Sequence, residues 1–253
     1  MMWQAVTVAG GAVVGTPAPT FILRDPHGQS RSLSEFEGKF ARFCGSKHGV
    51  AVMNGTVALQ LALAALGIKE GDEVIVPDLT FVATANAVRY LSAKPVFVDS
   101  EMETWNIDPA KIEAAVTKKT KAIIPVHLYG HPCDMDAIMR IARKHGLLVI
   151  EDAAEAHGAE YKGRKVGSIG DVGCFSFYGN KILTTGEGGM CVTNDEKLAK
   201  RMHFLKDHAM DRERRYFHPE IGYNFRMTNI QAAIGLAQLE QIDKFISAKR
   251  KNA

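Results

Sequence analysis

Cysteine is scarce in this sequence, and the four present, Cys44, Cys133, Cys174 and Cys191, form no C-x-x-C pair. That spacing excludes a zinc ribbon or a thioredoxin motif, and scattered free thiols fit a reducing compartment. No apolar run reaches the roughly 18 residues that a membrane-spanning helix needs. The apolar start, MMWQAVTVAGGAVVGTPA, has no Lys or Arg before Arg24, so it lacks the basic first region of a secretory signal. A soluble, cytoplasmic protein is therefore expected. An excess of one charge is missing as well. The 31 basic and 28 acidic residues are interspersed and leave no polybasic footprint for nucleic acid or a membrane surface. The short run Lys249-Arg250-Lys251 reads as a solvated helix end.

What is there is an α/β rhythm. From about Gly49 onward, the runs EVIVP (73–77), PVFVD (95–99), KAIIPV (121–126) and LLVIED (147–152) are apolar on both faces, as buried parallel strands are. Between them, 56–66, 81–91, 108–116 and 134–146 have helical patterns. Asp108-Pro109 supplies a cap and a first-turn residue, and Gly146 a stop. Alternating strands and helices predict a mainly parallel sheet covered on both faces. Two more strands are expected at 174–177 and 189–193, then helices at 195–206 and from Thr228 to the end.

Residues 1–35 do not fit this rhythm. Gly15 to Lys39 resembles the opening of a peroxiredoxin, but Phe40-Ala-Arg-Phe-Cys44 lacks the Phe-x-Pro-to-cysteine pattern of a working peroxidase. They are read as an atypical segment preceding a domain at 36–253.

In an open parallel sheet, ligands sit beyond the carboxyl ends of the strands. There stand Asp152, then Tyr178-Gly179-Asn180-Lys181, and Asn54-Gly55-Thr56 before a helix. An anion, an amine and an exposed helix start are what pyridoxal phosphate requires. The amine reacts with its aldehyde, the carboxylate keeps the ring nitrogen protonated, and the helix N–H groups take the phosphate. Taken singly, each element has a plainer reading: a surface lysine, a helix-capping aspartate, an ordinary helix start. Lys181 stands out because Thr184-Thr185-Gly186-Glu187-Gly188-Gly189 comes after it between two strands, a bend that lets backbone approach a ligand.

The stretches EDAAEAHGAEYKGRKVGSIGD (151–171), FSFYGNKILTTGEGGM (175–190) and GYNFRMTNIQAAIGLAQLE (222–240) resemble the DegT/DnrJ/EryC1/StrS family of sugar aminotransferases. So do NGTVALQLALAALGIKEGDEVIVPDLTFVATANAV (54–88) and VHLYGHPCDMDAI (126–138). The resemblance is strongest toward perosamine-synthase-like members, which aminate a nucleotide-linked 4-keto-6-deoxysugar. It implies the large domain of a fold type I, aspartate aminotransferase-like transferase dependent on pyridoxal phosphate, with glutamate as the expected amino donor. Lys181 would be the Schiff-base lysine and proton shuttle, and Asp152 the partner of the pyridine nitrogen. Glu155 would lie near the 3-hydroxyl, where many members carry Gln, and Phe81 would stack on the ring. Gly55, Thr56 and Ser176 would cradle the phosphate. Asn224 would reach the cofactor of a second subunit, which implies a homodimer with shared sites. Tyr216, His218 and Arg226 would contact the nucleotide-sugar.

Plainer readings stand beside these. Phe81 opens an apolar helix and could be core, Ser176 alternates with Phe175 and Phe177, and Asn224 and Arg226 could support a turn before Thr228. His127 and His131 flank a turn rather than share a helix face, so no metal is expected, and His157 reads as a packed histidine. A dehydratase of the same fold would replace Lys181 with histidine. A cofactor-binding remnant or regulatory protein with impaired catalysis is the remaining alternative. It draws on the expectation that family members continue past Ala253 into a small C-terminal domain.

Overall fold

The computed structural model describes residues 23–24 and 30–252. Seven strands form the central sheet: β3 (His48–Val52), β4 (Glu73–Pro77), β5 (Lys94–Val98), β6 (Thr120–Ile123), β7 (Leu148–Asp152), β10 (Val172–Ser176) and β11 (Gly189–Thr193). Their order is β3-β11-β10-β7-β6-β4-β5. The pairs from β10 through β5 are parallel, while β11 runs antiparallel to both its neighbours. Six strands therefore end on one side. Two small hairpins, β1 (Leu23–Arg24) with β2 (Ser30–Arg31) and β8 (Glu160–Tyr161) with β9 (Arg164–Lys165), lie outside the sheet.

Alternation along the strands sorts the core into layers. Val50, Val52, Val74, Val76, Ile150 and Cys174 face a cluster shared with α2 (Gly55–Ala65), α3 (Ala83–Tyr90) and α6 (Glu196–Leu205). On the opposite face, Ala51, Phe175 and Met190 meet α1 (Leu33–Phe43), α7 (Asn229–Leu239) and α8 (Ile242–Asn252). Ile75, Ile123 and Val149 on that same face meet α4 (Pro109–Ala115) and α5 (Met135–His145). The α/β architecture with helices on both faces is the one expected from the sequence.

Local signals account for many of the element ends. Asp108 accepts from Ala110 N–H with Pro109 in the first turn, and Gly146 ends α5 at φ 66°. Thr228 and Gln231 form a reciprocal capping box on α7, which satisfies two end groups at once.

Several expected boundaries move. The strand expected at 121–126 ends at Ile123, because Pro125 has no N–H for the ladder. The strand expected at 174–177 begins two residues earlier, at Val172. The single helix expected from Thr228 onward is two, α7 and α8, broken near Glu240 so that Leu236 and Ile242 both reach the core. Phe81 does not open a helix: α3 begins at Ala83, and Phe81 precedes it in the loop. The start expected at residue 36 falls inside α1, whose Ser32 cap accepts from Glu35 N–H and whose Phe36 and Phe40 are fully buried. The rest of the atypical segment lies largely outside the described residues. Cys44, just after α1, is buried with its thiol pushed up by desolvation, the opposite of a reactive thiolate.

Candidate active site

Because six strands point the same way, the loops after β3, β4, β6, β7 and β10 gather on one side of the sheet. They carry Gly55 and Thr56, Phe81, Tyr129, Asp152 with Glu155, and Lys181 in turn.

Lys181 is fixed by its loop. Its N–H bonds to Tyr178 O, Thr185 N–H and Thr184 Oγ1 both bond to Phe177 O, and Leu183 is fully buried beneath. Its Nζ lies 3.2 Å from Glu155 Oε1, with 17% of the side chain exposed. Glu155 is held from the other side, where Oε2 accepts from Tyr129 N–H at 2.9 Å. Tyr129 is left-handed at φ 50°, a strained setting for a non-glycine residue. Its turn is fastened by Asn106, which accepts from Leu128 N–H and donates to His131 O.

Asp152 ends β7 and is 6% exposed. Burial raises its pKa above the usual carboxylate value, opposed by the Thr84 hydroxyl, the Ala154 N–H and the nearby His127 and Lys181. Thr84 Oγ1 donates to Oδ2 at 2.8 Å, and Ala154 N–H donates to Oδ1 at 3.2 Å. The neighbouring Glu151 is fully buried and supports the frame. It pairs with His127 Nε2 at 3.0 Å and accepts from the N–H groups of Gly167, Ile169 and Gly170. Burial raises its pKa, but His127 and these N–H groups outweigh that and leave it lowered.

The helix start forms a cradle. Asn54 caps α2 through Val57 N–H, which leaves the first N–H groups of α2 for an anion. A Cβ on Gly55 would stand 2.8 Å from Ser176 Cβ, and one on Gly189 2.5 Å from Asn54 O. Only glycine lets the start of α2 approach Ser176 and Gly189 this closely. An amine beside a carboxylate, a buried acid with spare lone pairs and a helix-start cradle fit pyridoxal phosphate as a donor set. Phe81, 76% exposed, presents its ring to solvent on the same side.

Of the remaining expected residues, Asn224 and Arg226 lie on a stretch paired with the end of β3 just before the cradle, through the Arg226–Val52 bridge and the Met53 N–H bond to Phe225 O. Asn224 Oδ1 accepts from both Nε and Nη2 of Arg226, and Arg226 Nη1 donates to Asp207 at 2.8 Å. Tyr216 is exposed beside Arg215, and His218 Nδ1 bonds to His208 O. This group is not joined to Lys181 by any described contact.

His127 is committed to structure: Nε2 faces Glu151 and Nδ1 accepts from Cys133 N–H. Among the described residues, no group of three His, Cys, Asp or Glu side chains is placed to hold a metal. His157 is packed, as expected, against Phe40, Phe175 and Phe177. Burial first, and the charge of Lys181 second, push its pKa down to about 3. Thr84, Tyr129 and Asn106 are not legible in the sequence, since their bonds run to residues 68, 26 and 22 or more positions away.

Residues 27–253 match the DegT/DnrJ/EryC1/StrS aminotransferase family. The chain is 60% identical over 221 residues to GDP-perosamine synthase of Caulobacter vibrioides, covering 87% of this chain and 60% of that one. It superposes on the crystal structure of an aminotransferase from Psychrobacter cryohalolentis with a TM-score of 0.79 at 50% identity, covering 82% and 55% of the two chains. A putative sugar aminotransferase of Streptococcus pneumoniae, solved in its PLP form, aligns with a TM-score of 0.80 at 32% identity over 83% and 59%. The chain spans about three fifths of the length of the curated relatives it matches.

Proposed function

The chain belongs to the DegT/DnrJ/EryC1/StrS aminotransferase family, and from that premise we propose that it carries the cofactor site of a nucleotide-sugar aminotransferase. Its cofactor is pyridoxal phosphate. The proposed reaction moves an amino group, with glutamate as donor, onto a nucleotide-linked 4-keto-6-deoxysugar, as the likeness to GDP-perosamine synthase suggests. The observation that carries this reading is Lys181 Nζ at 3.2 Å from Glu155, on the side of the sheet where Asp152 lies buried.

When bound, pyridoxal phosphate supplies an aldehyde that takes up amines and a ring that withdraws electrons from the neighbouring carbon. Lys181 Nζ would hold the cofactor through its aldehyde and, when free, would accept and return the proton that the transfer moves. Glu155 orients that amine through Oε1 while Tyr129 N–H fixes the carboxylate through Oε2. Asp152 would present its carboxylate to the ring nitrogen. Gly55, Thr56 and Ser176 would take the phosphate, and Phe81 would cover the ring. Asn224 reaches the phosphate site of a second copy in a cytoplasmic homodimer, and Tyr216, His218 and Arg226 meet the nucleotide-sugar. No described helix is long and apolar enough to cross a membrane.

Stopped-flow absorbance tests the reading. Glutamate added to the cofactor-loaded protein should shift the visible band without any sugar present, and initial rates with a GDP-linked keto sugar should give the parallel plots of a ping-pong reaction. A folded, loaded protein whose spectrum ignores glutamate would contradict it.

A further inference from the structure

Thr84 lies in the family-like stretch 54–88 with no role assigned to it, yet its hydroxyl makes the shorter of the two hydrogen bonds described for the Asp152 carboxyl, 2.8 Å against 3.2 Å. It lies in the first turn of α3 and is fully buried. A valine of nearly the same shape would fill that place without the cost of burying a hydroxyl. The hydroxyl is therefore there for its partners. Thr84 Oγ1 has a second neighbour, Thr80 Oγ1, at 3.0 Å.

Chemistry sets the direction of this chain. An ionised carboxylate only accepts, so Thr84 must donate to Asp152. Its single proton is then spent, so Thr80 must donate to Thr84. Such a relay polarises the second hydroxyl and strengthens its bond to the acid. Thr84 N–H also bonds to Phe81 O at 3.2 Å, so the loop bearing the ring-covering aromatic and the buried acid form one hydrogen-bonded unit.

We propose that Thr84 is a positioning residue for the pyridine end of the site: with Ala154 N–H it fixes the Asp152 carboxylate in one orientation, ionised, and leaves its remaining lone pairs for the protonated ring nitrogen. Thr80 supports it from behind. This rests on the assignment of Asp152 made above. Other groups act on the same carboxylate: Lys181 after β10, His127 after β6, and the thiols of Cys133 and Cys174. None of these shares the direct bond that Thr84 makes.

The test uses the full chain in two states. Carboxyl-carbon NMR tracks the titration of Asp152 in the cofactor-free wild type, Thr84→Val, Thr84→Ser and Thr80→Val, and fluorescence gives the dissociation constant for pyridoxal phosphate. Thr84→Val should move the Asp152 titration upward by about one pH unit or more and weaken cofactor binding about tenfold or more, the scale of a bond to a charged group. Thr84→Ser should restore both, and Thr80→Val should move both in the same direction by less. If Thr84→Val does not fold, Thr80→Val against wild type makes the same comparison. A folded variant with the titration and the dissociation constant unmoved would overturn the proposal. Should the wild type fail to bind pyridoxal phosphate, the functional reading falls, and the NMR shift alone then decides whether Thr84 holds Asp152.

Discussion

Two regions expected to share one reaction are built in opposite ways. Around Lys181, Glu155 and Asp152, each polar group is bonded inward, to Tyr129 N–H, Thr84 Oγ1 or Ala154 N–H, and the loops are pinned on buried residues such as Leu183 and Glu151. Around Asn224, Arg226, Tyr216 and His218, side chains are exposed and bonded to each other or to Asp207 and His208. The backbone of that second region is nonetheless held. Phe225 N–H bonds to Lys206 O and Met53 N–H to Phe225 O, while the Lys206 side chain is buried on Glu37 and Ala51 O. The polar groups of the first region are each paired with a partner that buried residues hold in place. The second combines a firm backbone with exposed side chains bonded to one another and to Asp207 and His208.

The comparison can be broken most severely at Lys181. Lys181→Ala removes the amine without touching the core, so turnover should fall by about 10²–10⁴-fold, the worth of a positioned acid–base group, while thermal stability stays close to wild type. A variant retaining activity in a steady-state assay would place the chemistry elsewhere.

Asp152→Asn should cost nearly as much activity and do the opposite to stability. Burial raises the Asp152 pKa above its usual value of 3.8, so in that window the folded state binds the proton more tightly than the unfolded one. Stability from this group is thus present below the unfolded value and lost as pH rises through the folded value. The cofactor-free Asn variant should therefore be more stable than wild type at neutral pH, with the gap closing as the pH falls to the unfolded value. Urea denaturation at several pH values checks the sign, and a gap that widens on acidification would contradict it.

Gly55→Ala sharpens the phosphate end. Its Cβ would press to 2.8 Å on Ser176 Cβ, so the cradle must open, at a cost of about 1–3 kcal/mol. Weaker binding of pyridoxal phosphate by isothermal titration is expected, with Thr56→Ala milder.

The smallest stability effect belongs to the second region. Asn224→Ala should change stability by no more than about 0.5 kcal/mol, as exposed surface changes do, yet lower activity. Mixed with Lys181→Ala, it should regain part of that activity if each copy completes the other's site. Mixtures no better than their components would confine Asn224 to its own chain.

Much of the fold and the site is legible in the sequence, and the rest is hidden for physical reasons. Apolar runs of the EVIVP kind announce buried parallel strands; Asp152 is the last residue of one such strand, and Lys181 follows the end of another by five residues. α1 also carries a readable pattern, with Ser32 as cap and Phe36 and Phe40 four apart. It is obscured because the preceding stretch resembles another fold. Phe81 reads as helical because nothing in FVATANAV marks where the first turn begins. Thr84 and the buried Glu37–Lys206 pair have no local signal. Their partners lie 68 and 169 residues away, and only the sheet order brings them together.

The central claim is that Lys181 carries the cofactor. Borohydride reduction of the protein incubated with pyridoxal phosphate, then peptide mass spectrometry, tests it directly. The account predicts a pyridoxyl group on Lys181 in wild type and no such modification in Lys181→Ala. Labelling confined to another lysine, or none in a folded protein saturated with cofactor, would contradict it.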